Sequence, residues 1–444
     1  MENGESMNPR IKTLLKYIVP TVLSQCAFFL FLIIDGIFVG NGVGTDALGA
    51  VNLALPFVMV VGAVFMLTTI GGVTITAIRI GRKDFDGAND AFMNSLFCTL
   101  AVSAVFTLIG VFFTKPLAAM LGAGGVYEKM VTDYLFWYSL FTVPSALAVA
   151  LQGFGRNDGA PVFVMVSTIL STMLNIFLDW LFVFPLRMGL KGAAIATGIS
   201  QTVGFLIISV HFVMKRGVLR VRRFKLSGLL FKKVLKRGVP ELLSQLTGPV
   251  MIYCMNLMLM RYIGEAGINA YSIICYIISF AYAVFFGVSE GLQPLFGRSY
   301  GDKNEGDLKF YYRAGLILSF GSSFVIYFLT ILLGGPICKL FGADSETTDL
   351  AVKAIPLNSW SFIFAGLNTI ISAYLYSTKR TKESAAVNVL RGFILSPICV
   401  FLLSMAFKDA IIWHTIGIAE ALTFIAALLI VKNSEKHGVD FNKK

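Results

Sequence analysis

Residues 13–38 read TLLKYIVPTVLSQCAFFLFLIIDGIF, and one letter in that run decides how the chain is read. As a helix rising 1.5 Å per residue the stretch is about 39 Å long, enough to cross a hydrocarbon core of about 30 Å. Its one acid, Asp35, falls inside the apolar part. A carboxylate at that depth costs about 2.5 to 3.5 kcal/mol on insertion scales, so a chain that keeps one uses it on an ion or solute path. A membrane transporter is the expectation.

Working outward, eleven further apolar stretches follow, the last at 410–432. Composition agrees: 56% of residues are hydrophobic, 14% are charged and the mean hydropathy is +0.77, whereas soluble domains carry about a quarter charged residues. Twelve crossings of about 20 to 25 residues each leave no room in 444 residues for an extramembrane catalytic domain. Met1 to Arg10 carries no cleavable-signal pattern, so the first span is expected to act as its own insertion signal.

The net charge of +12 is placed asymmetrically. With loops alternating sides, the side holding both termini collects 28 of the 37 Lys and Arg, the other collects 8, and Arg391 lies within a span. By the positive-inside bias both termini are cytoplasmic, in a multi-pass protein of the cell (inner or plasma) membrane. The densest basic cluster, Lys215 to Arg237, joins spans six and seven. It reads as a topology determinant against anionic lipid headgroups rather than a nucleic-acid patch. Six scattered cysteines and three histidines show no metal-ligand or redox spacing, so neither a metalloenzyme nor a cofactor is expected.

The chain also repeats itself. Residues 15–25, LKYIVPTVLSQ, and residues 235–245, LKRGVPELLSQ, match at seven of eleven positions with a shift of 220. The shift carries Gly44 onto Gly264, Gly81 onto Gly301 and Lys83 onto Lys303. Six crossings separate the copies, an even number, so the halves share one orientation and form a parallel repeat about the membrane normal. The expected fold class is an all-α integral membrane protein with twelve transmembrane helices in two pseudo-twofold-related six-helix bundles. The expected domains are residues 1–214, a basic linker at 215–234, and residues 235–444. A solute cavity belongs between such bundles, and one chain holds both, so a monomer is expected to function.

Three segments resemble the multidrug and toxic compound extrusion (MATE) family: DGIFVGNGVGTDALGAVNLALPF at 35–57, LNIFLDWLFVF at 174–184 with GLKGAAIATGIS at 189–200, and EGLQPLFGRSYGDKN at 290–304. The DinF-like and small bacterial exporter branches are the most similar. The resemblance covers most of residues 13–432. It implies two bundles opening as a V and export of cationic or amphipathic drugs against inward H⁺ or Na⁺. One branch places an acid eight positions after the span-seven proline, where this chain has Gly248, and another acid in span ten, absent from residues 359–377. Coupling is therefore expected in the N-terminal half.

On residue chemistry alone, Asn175 and Asp179 are four apart and share one helix face. If spans one and five face one interior, Asp35 joins them. Such oxygens suit a hard cation, so Na⁺ at Asp35, Asn175, Asp179 and Thr197 is one reading. A shared proton is the other, because desolvation and like-charge repulsion both favour the neutral acid. The resemblance supports Asp35, Asn175, Asp179 and Thr197 as the coupling site, and Tyr134 as a donor beside it. Thr197 reads equally as a packing hydroxyl and Tyr134 as an interface aromatic. Candidates for the substrate path are Glu290 beside Gly291 and Pro294, Gln152 near the end of span four, and Met255 and Asn256 in MIYCMNLMLM, residues 251–260. Glu420 is expected to be partnered across helices, Glu241 to be solvated or paired with Lys236 or Arg237, and Arg391 to snorkel towards the cytoplasm.

The function expected is a secondary-active multidrug antiporter acting on small molecules among membrane lipids. Rival readings are a flippase for lipid-linked saccharides, which calls for arginines in the cavity, and an intramembrane prenyl-transferring enzyme, which calls for paired Asp-rich motifs that this chain lacks.

Overall fold

In the computed structural model, which describes residues 8–340, 345–435, 439 and 441, the regular structure is helical throughout. His437 and the first seven residues lie outside the described part. Ten helices are long and apolar enough to cross a membrane, and two bent pairs bring the count to twelve when each pair is one span. The chain divides into two compact units. The first is Leu15–Gly238; the second takes in the described residues from Val239 onward and the amino-terminal stretch up to Leu14.

The first unit is built from α1 (Pro9–Gly42, from Leu15 on), α2 (Thr45–Gly81), α3 (Phe85–Phe112), the short α4 (Thr114–Met120), α5 (Val126–Leu140), α6 (Thr142–Asn157), α7 (Pro161–Val183) and α8 (Gly189–Val213). Span four, expected as one helix over 127–152, bends by 50° between α5 and α6. Pro144 sits just past the bend and has no N–H to return to the carbonyl of Leu140, which weakens the ladder there. At the bend a Cβ on Gly198 of α8 would lie 2.1 Å from the Phe141 ring, so only glycine admits that contact.

The second unit runs through α9 (Gly228–Tyr262, from Val239 on), α10 (Glu265–Gly301), α11 (Glu305–Leu340), α12 (Ser345–Ser359), α13 (Ser361–Ser377), α14 (Thr381–Val389), a π-helical turn (Leu390–Leu395), α15 (Ser396–Phe407), the short α16 (Asp409–Ile412) and α17 (Thr415–Ser434). Its bent pair, α12 and α13, turns by 41° at Trp360, whose ring lies over Gly417 of α17. The π turn precedes Pro397, whose missing N–H cannot bond the carbonyl of Phe393; a wider turn absorbs the defect.

Repeat positions take matching backbone conformations. Gly44 and Gly264 have φ of +112° and +88°, and Lys83 and Lys303 have φ of +60° and +57°. Asp84 and Asn304 each accept a hydrogen bond from the backbone N–H three residues on, capping α3 and α11 in the same way. Large apolar side chains such as Leu332 (73% exposed) and Ile317 (70% exposed) cover the outside, as lipid contact requires.

The basic segment after α8 is bound to the first unit. Asp158 accepts from the backbone of Val218 and Leu219 at 2.8 and 2.9 Å and pairs with His211 at 2.8 Å. Asn89 and Asn94 bond the backbone of Arg220 and Ser227 at 2.7 and 2.8 Å. Arg222 bridges Asp86 and Asp90. The unit boundary then falls inside α9, at Gly238 and Val239.

Candidate functional site

The first unit gathers polar groups from four helices. Asp35 comes from α1, Tyr134 from α5, Asn175 and Asp179 from α7, and Thr197 from α8. The end of α1 that follows Asp35 meets the end of α7. A Cβ on Gly42, two turns beyond Asp35, would lie 2.2 Å from Cγ1 of Val183, one turn beyond Asp179. Val39 and Val183 are each 2% exposed and share one apolar cluster, and the rings of Phe38 and Phe184 meet edge-on at 5.7 Å. α7 and α8 are joined by small residues: Ser171 donates to the carbonyl of Ser200 at 2.7 Å, and Ser167 to that of Gly204 at 3.1 Å.

Within this frame the Asp35 and Asp179 carboxyls interact with each other, and Asn175 with Asp179. Asn175 Nδ2 donates to Thr197 Oγ1 at 3.4 Å, a long bond. Tyr134 feels the charge of both aspartates and stacks on Tyr138, with ring centroids 6.2 Å apart. Asp179 is fully buried and Asn175 is 2% exposed. Four buried oxygens here have no hydrogen-bond partner: Asp35 Oδ1, Asn175 Oδ1 and both carboxyl oxygens of Asp179. Orphaned buried polar atoms are uncommon and call for a reason. These four are all acceptors, so each takes a hydrogen-bond donor, a proton or a cation. Two carboxylates in contact cannot both stay ionised without a proton or a cation between them. The set of two carboxylates, an amide oxygen and a hydroxyl also fits a hard monovalent cation, as oxygen donors do. Tyr138, which steadies Tyr134, escaped sequence reasoning, although its four-residue spacing from Tyr134 was visible.

The substrate-path candidates do not gather there. Gln152, half-buried on α6, is 18 residues beyond Tyr134 along the bent pair, about 25 Å along a helix. Met255 is fully buried in the second unit's core, where its sulfur accepts from Thr415 at 3.5 Å, and Asn256 beside it is half-buried. Glu290 is buried on α10 and electrostatically coupled to Glu241. Glu241 is also buried, accepting from Gln245 at 3.0 Å, and not solvated as expected.

Arg391 departs furthest from expectation. It does not snorkel: it is 2% exposed, and its Nε donates to both oxygens of Glu420 at 2.8 and 3.0 Å. Its Nη2 donates to Tyr282 Oη at 2.8 Å, while Asn368 Nδ2 donates to Glu420 Oε2 at 2.8 Å. An arginine two turns into a span can reach water only along a lipid-facing side; the π turn faces Arg391 inward, where Glu420 neutralises it. Glu420 is thus partnered across helices, as expected.

Comparisons with known proteins agree with this architecture. The MatE family model matches residues 20–181 and again 240–402, once per half. The chain is 25% identical over 427 residues to the multidrug export protein MepA of Staphylococcus aureus (strain MSSA476), covering 96% of this chain and 94% of that one. The MepA of Staphylococcus haemolyticus (strain JCSC1435) is also 25% identical, over 423 residues, covering 95% and 93%. A solved outward-facing multidrug resistance MATE family transporter of the MOP superfamily superposes with a TM-score of 0.90 at 22% identity, covering 95% of each chain. With the family model covering both halves of the repeat, the chain belongs to the MatE family, the multidrug and toxic compound extrusion transporters.

Proposed function

We propose that the protein is a secondary-active exporter that moves amphipathic, mostly cationic drugs out of the cell in exchange for H⁺ or Na⁺, with the exchange seated at Asp35 and Asp179. The observation that carries this reading is the set of four buried, unpartnered acceptor oxygens in one unit. An unmade buried hydrogen bond costs about 1 to 3 kcal/mol, and three of the four oxygens belong to two interacting acids, a pairing that favours uptake of a proton or a cation. The names of the MepA relatives support multidrug export as the cargo class.

In this scheme the ionised pair favours a cationic solute, and entry of H⁺ or Na⁺ discharges the pair and favours release. Asn175 and Thr197 hold the second carboxylate in place, and Tyr134 supplies a donor when the pair is charged. Exchange of one H⁺ or Na⁺ for one monovalent cation moves no net charge, so the ion's own concentration gradient drives it; each additional ion entering through 100 mV adds about 2.3 kcal/mol. Both termini then face the cytoplasm, as the basic loops require.

The test is drug efflux from proteoliposomes given either a pH gradient or a Na⁺ gradient, for the parent and Asp35→Asn. The parent should respond to one or both gradients and Asp35→Asn to neither. Gradient-driven efflux by Asp35→Asn at the parent's rate removes the proposed site.

A further inference from the structure

The second unit contains a cavity of about 180 Å³ that the coupling scheme does not use. Its lining combines apolar and aromatic side chains, Met251, Tyr271, Tyr282 and Phe286 among them, with polar ones that include Ser244 and Arg391. A cavity of about 150 Å³ holds a benzene molecule, so this one fits a single aromatic ring with a small polar group.

The Arg391–Glu420 pair is neutral overall and presents its positive end to the cavity. Arg391 lines the cavity, whereas Glu420 does not: the carboxylate sits behind the guanidinium, held by Arg391 Nε and Asn368. Glu241 is likewise held behind a lining residue, Gln245. The four Nη hydrogens of Arg391 meet three acceptors: Tyr282 Oη at 2.8 Å, and Thr369 Oγ1 and the Ala365 carbonyl, both at 3.4 Å. At 3.4 Å such bonds are weak, so the guanidinium edge keeps donor capacity. Tyr282 lies under the same guanidinium, 5.5 Å from ring centroid to Cζ, and fixes its plane.

We infer that this cavity is a binding subsite for the carboxylate-bearing aromatic part of a small molecule, its ring against Tyr282 and Phe286 and its carboxylate on Arg391. It is opposite in polarity to the acidic site of the first unit. The subsite goes beyond the proposed coupling reaction and does not depend on it.

Ligand-observed ¹⁹F NMR on the purified full chain in detergent tests this with two probes, 4-fluorobenzoate and 4-fluorobenzylamine. The benzoate should bind at least tenfold more tightly than the amine. Gly248 lines the cavity and a Cβ there meets nothing within 4 Å, so Gly248→Leu should fill the space, leave thermal stability unchanged and abolish benzoate binding. The double variant Arg391→Gln with Glu420→Gln should erase the preference for the benzoate, while Asp35→Asn should leave it intact. Equal or tighter binding of the amine, no binding of either probe, or benzoate binding that survives Gly248→Leu overturns the assignment.

Discussion

The two halves of this chain share a backbone plan and differ in how they handle buried charge. In the first unit the Asp35 and Asp179 carboxyls interact, and Asp35 Oδ1 and both Asp179 oxygens are buried without a hydrogen-bond partner. At the position 220 residues beyond Asp35 the second unit has Met255, packed into its core. That unit carries buried acids at other positions, Glu241 and Glu290, and a neutralised pair, Arg391 against Glu420 with Tyr282 and Asn368 around it. A satisfied ion pair is a poor place to exchange an ion, because breaking it leaves a buried charge. An unsatisfied pair of acids can exchange a proton or Na⁺ at little cost. In the proposed scheme the first repeat carries the exchangeable acids, while Arg391 and Glu420 of the second form a closed pair.

That contrast can be broken most directly at Arg391. Arg391→Met leaves Glu420 buried and uncompensated, which should cost about 3 to 5 kcal/mol and appear as a large loss of folded protein in thermal unfolding. Adding Glu420→Gln should recover most of it. A stable single variant would mean that the pair is not the closed unit described. The opposite behaviour is expected of the acids: Asp179→Asn should lower gradient-driven export about a hundredfold, equal to about 2.7 kcal/mol, with thermal stability equal to the parent's or higher. A fall in stability similar to that of Arg391→Met would erase the distinction between the halves.

Gly42→Ala sharpens the comparison by disturbing register instead of charge. Its Cβ overlaps Val183, so α1 and α7 must part, at about 1 to 3 kcal/mol, and export should drop while Asp35 and Asp179 remain. Unchanged stability and export together would show that this contact does not set the register. Smaller still, Gly44→Ala and Gly264→Ala both force alanine into positive φ and should each cost about 1 kcal/mol, equally in the two units. Unequal costs measured by unfolding would show that the repeat is not isoenergetic at its turns.

Much of this could be read from the letters. Twelve spans follow from apolar runs whose length the bilayer fixes, and the duplication follows from LKYIVPTVLSQ and LKRGVPELLSQ at a constant shift. Asp35 and Asp179 stood out because an acid inside an apolar helix is costly wherever it points. The bend at Phe141 was half-visible, in Pro144, but a proline also sits within α1, α9 and α10 without ending the helix. The substrate-path candidates rest on residue type and sequence neighbours, which do not say which face of a helix looks inward. Met255 turned out to be core.

What the sequence determined alone is therefore the one-dimensional part: which segments enter the membrane, how often the pattern recurs, and which residues are too polar to lie there idle. Only the tertiary structure decided partnership. Arg391 and Glu420 are 29 residues apart, on different helices, and a π turn aims the guanidinium inward. Asp35 and Asp179 are 144 positions apart and come together across α1 and α7, which also approach closely at Gly42 and Val183. Whether a buried charge is neutralised or left open depends on helix rotation and close approach, and those are set by packing across the bundle.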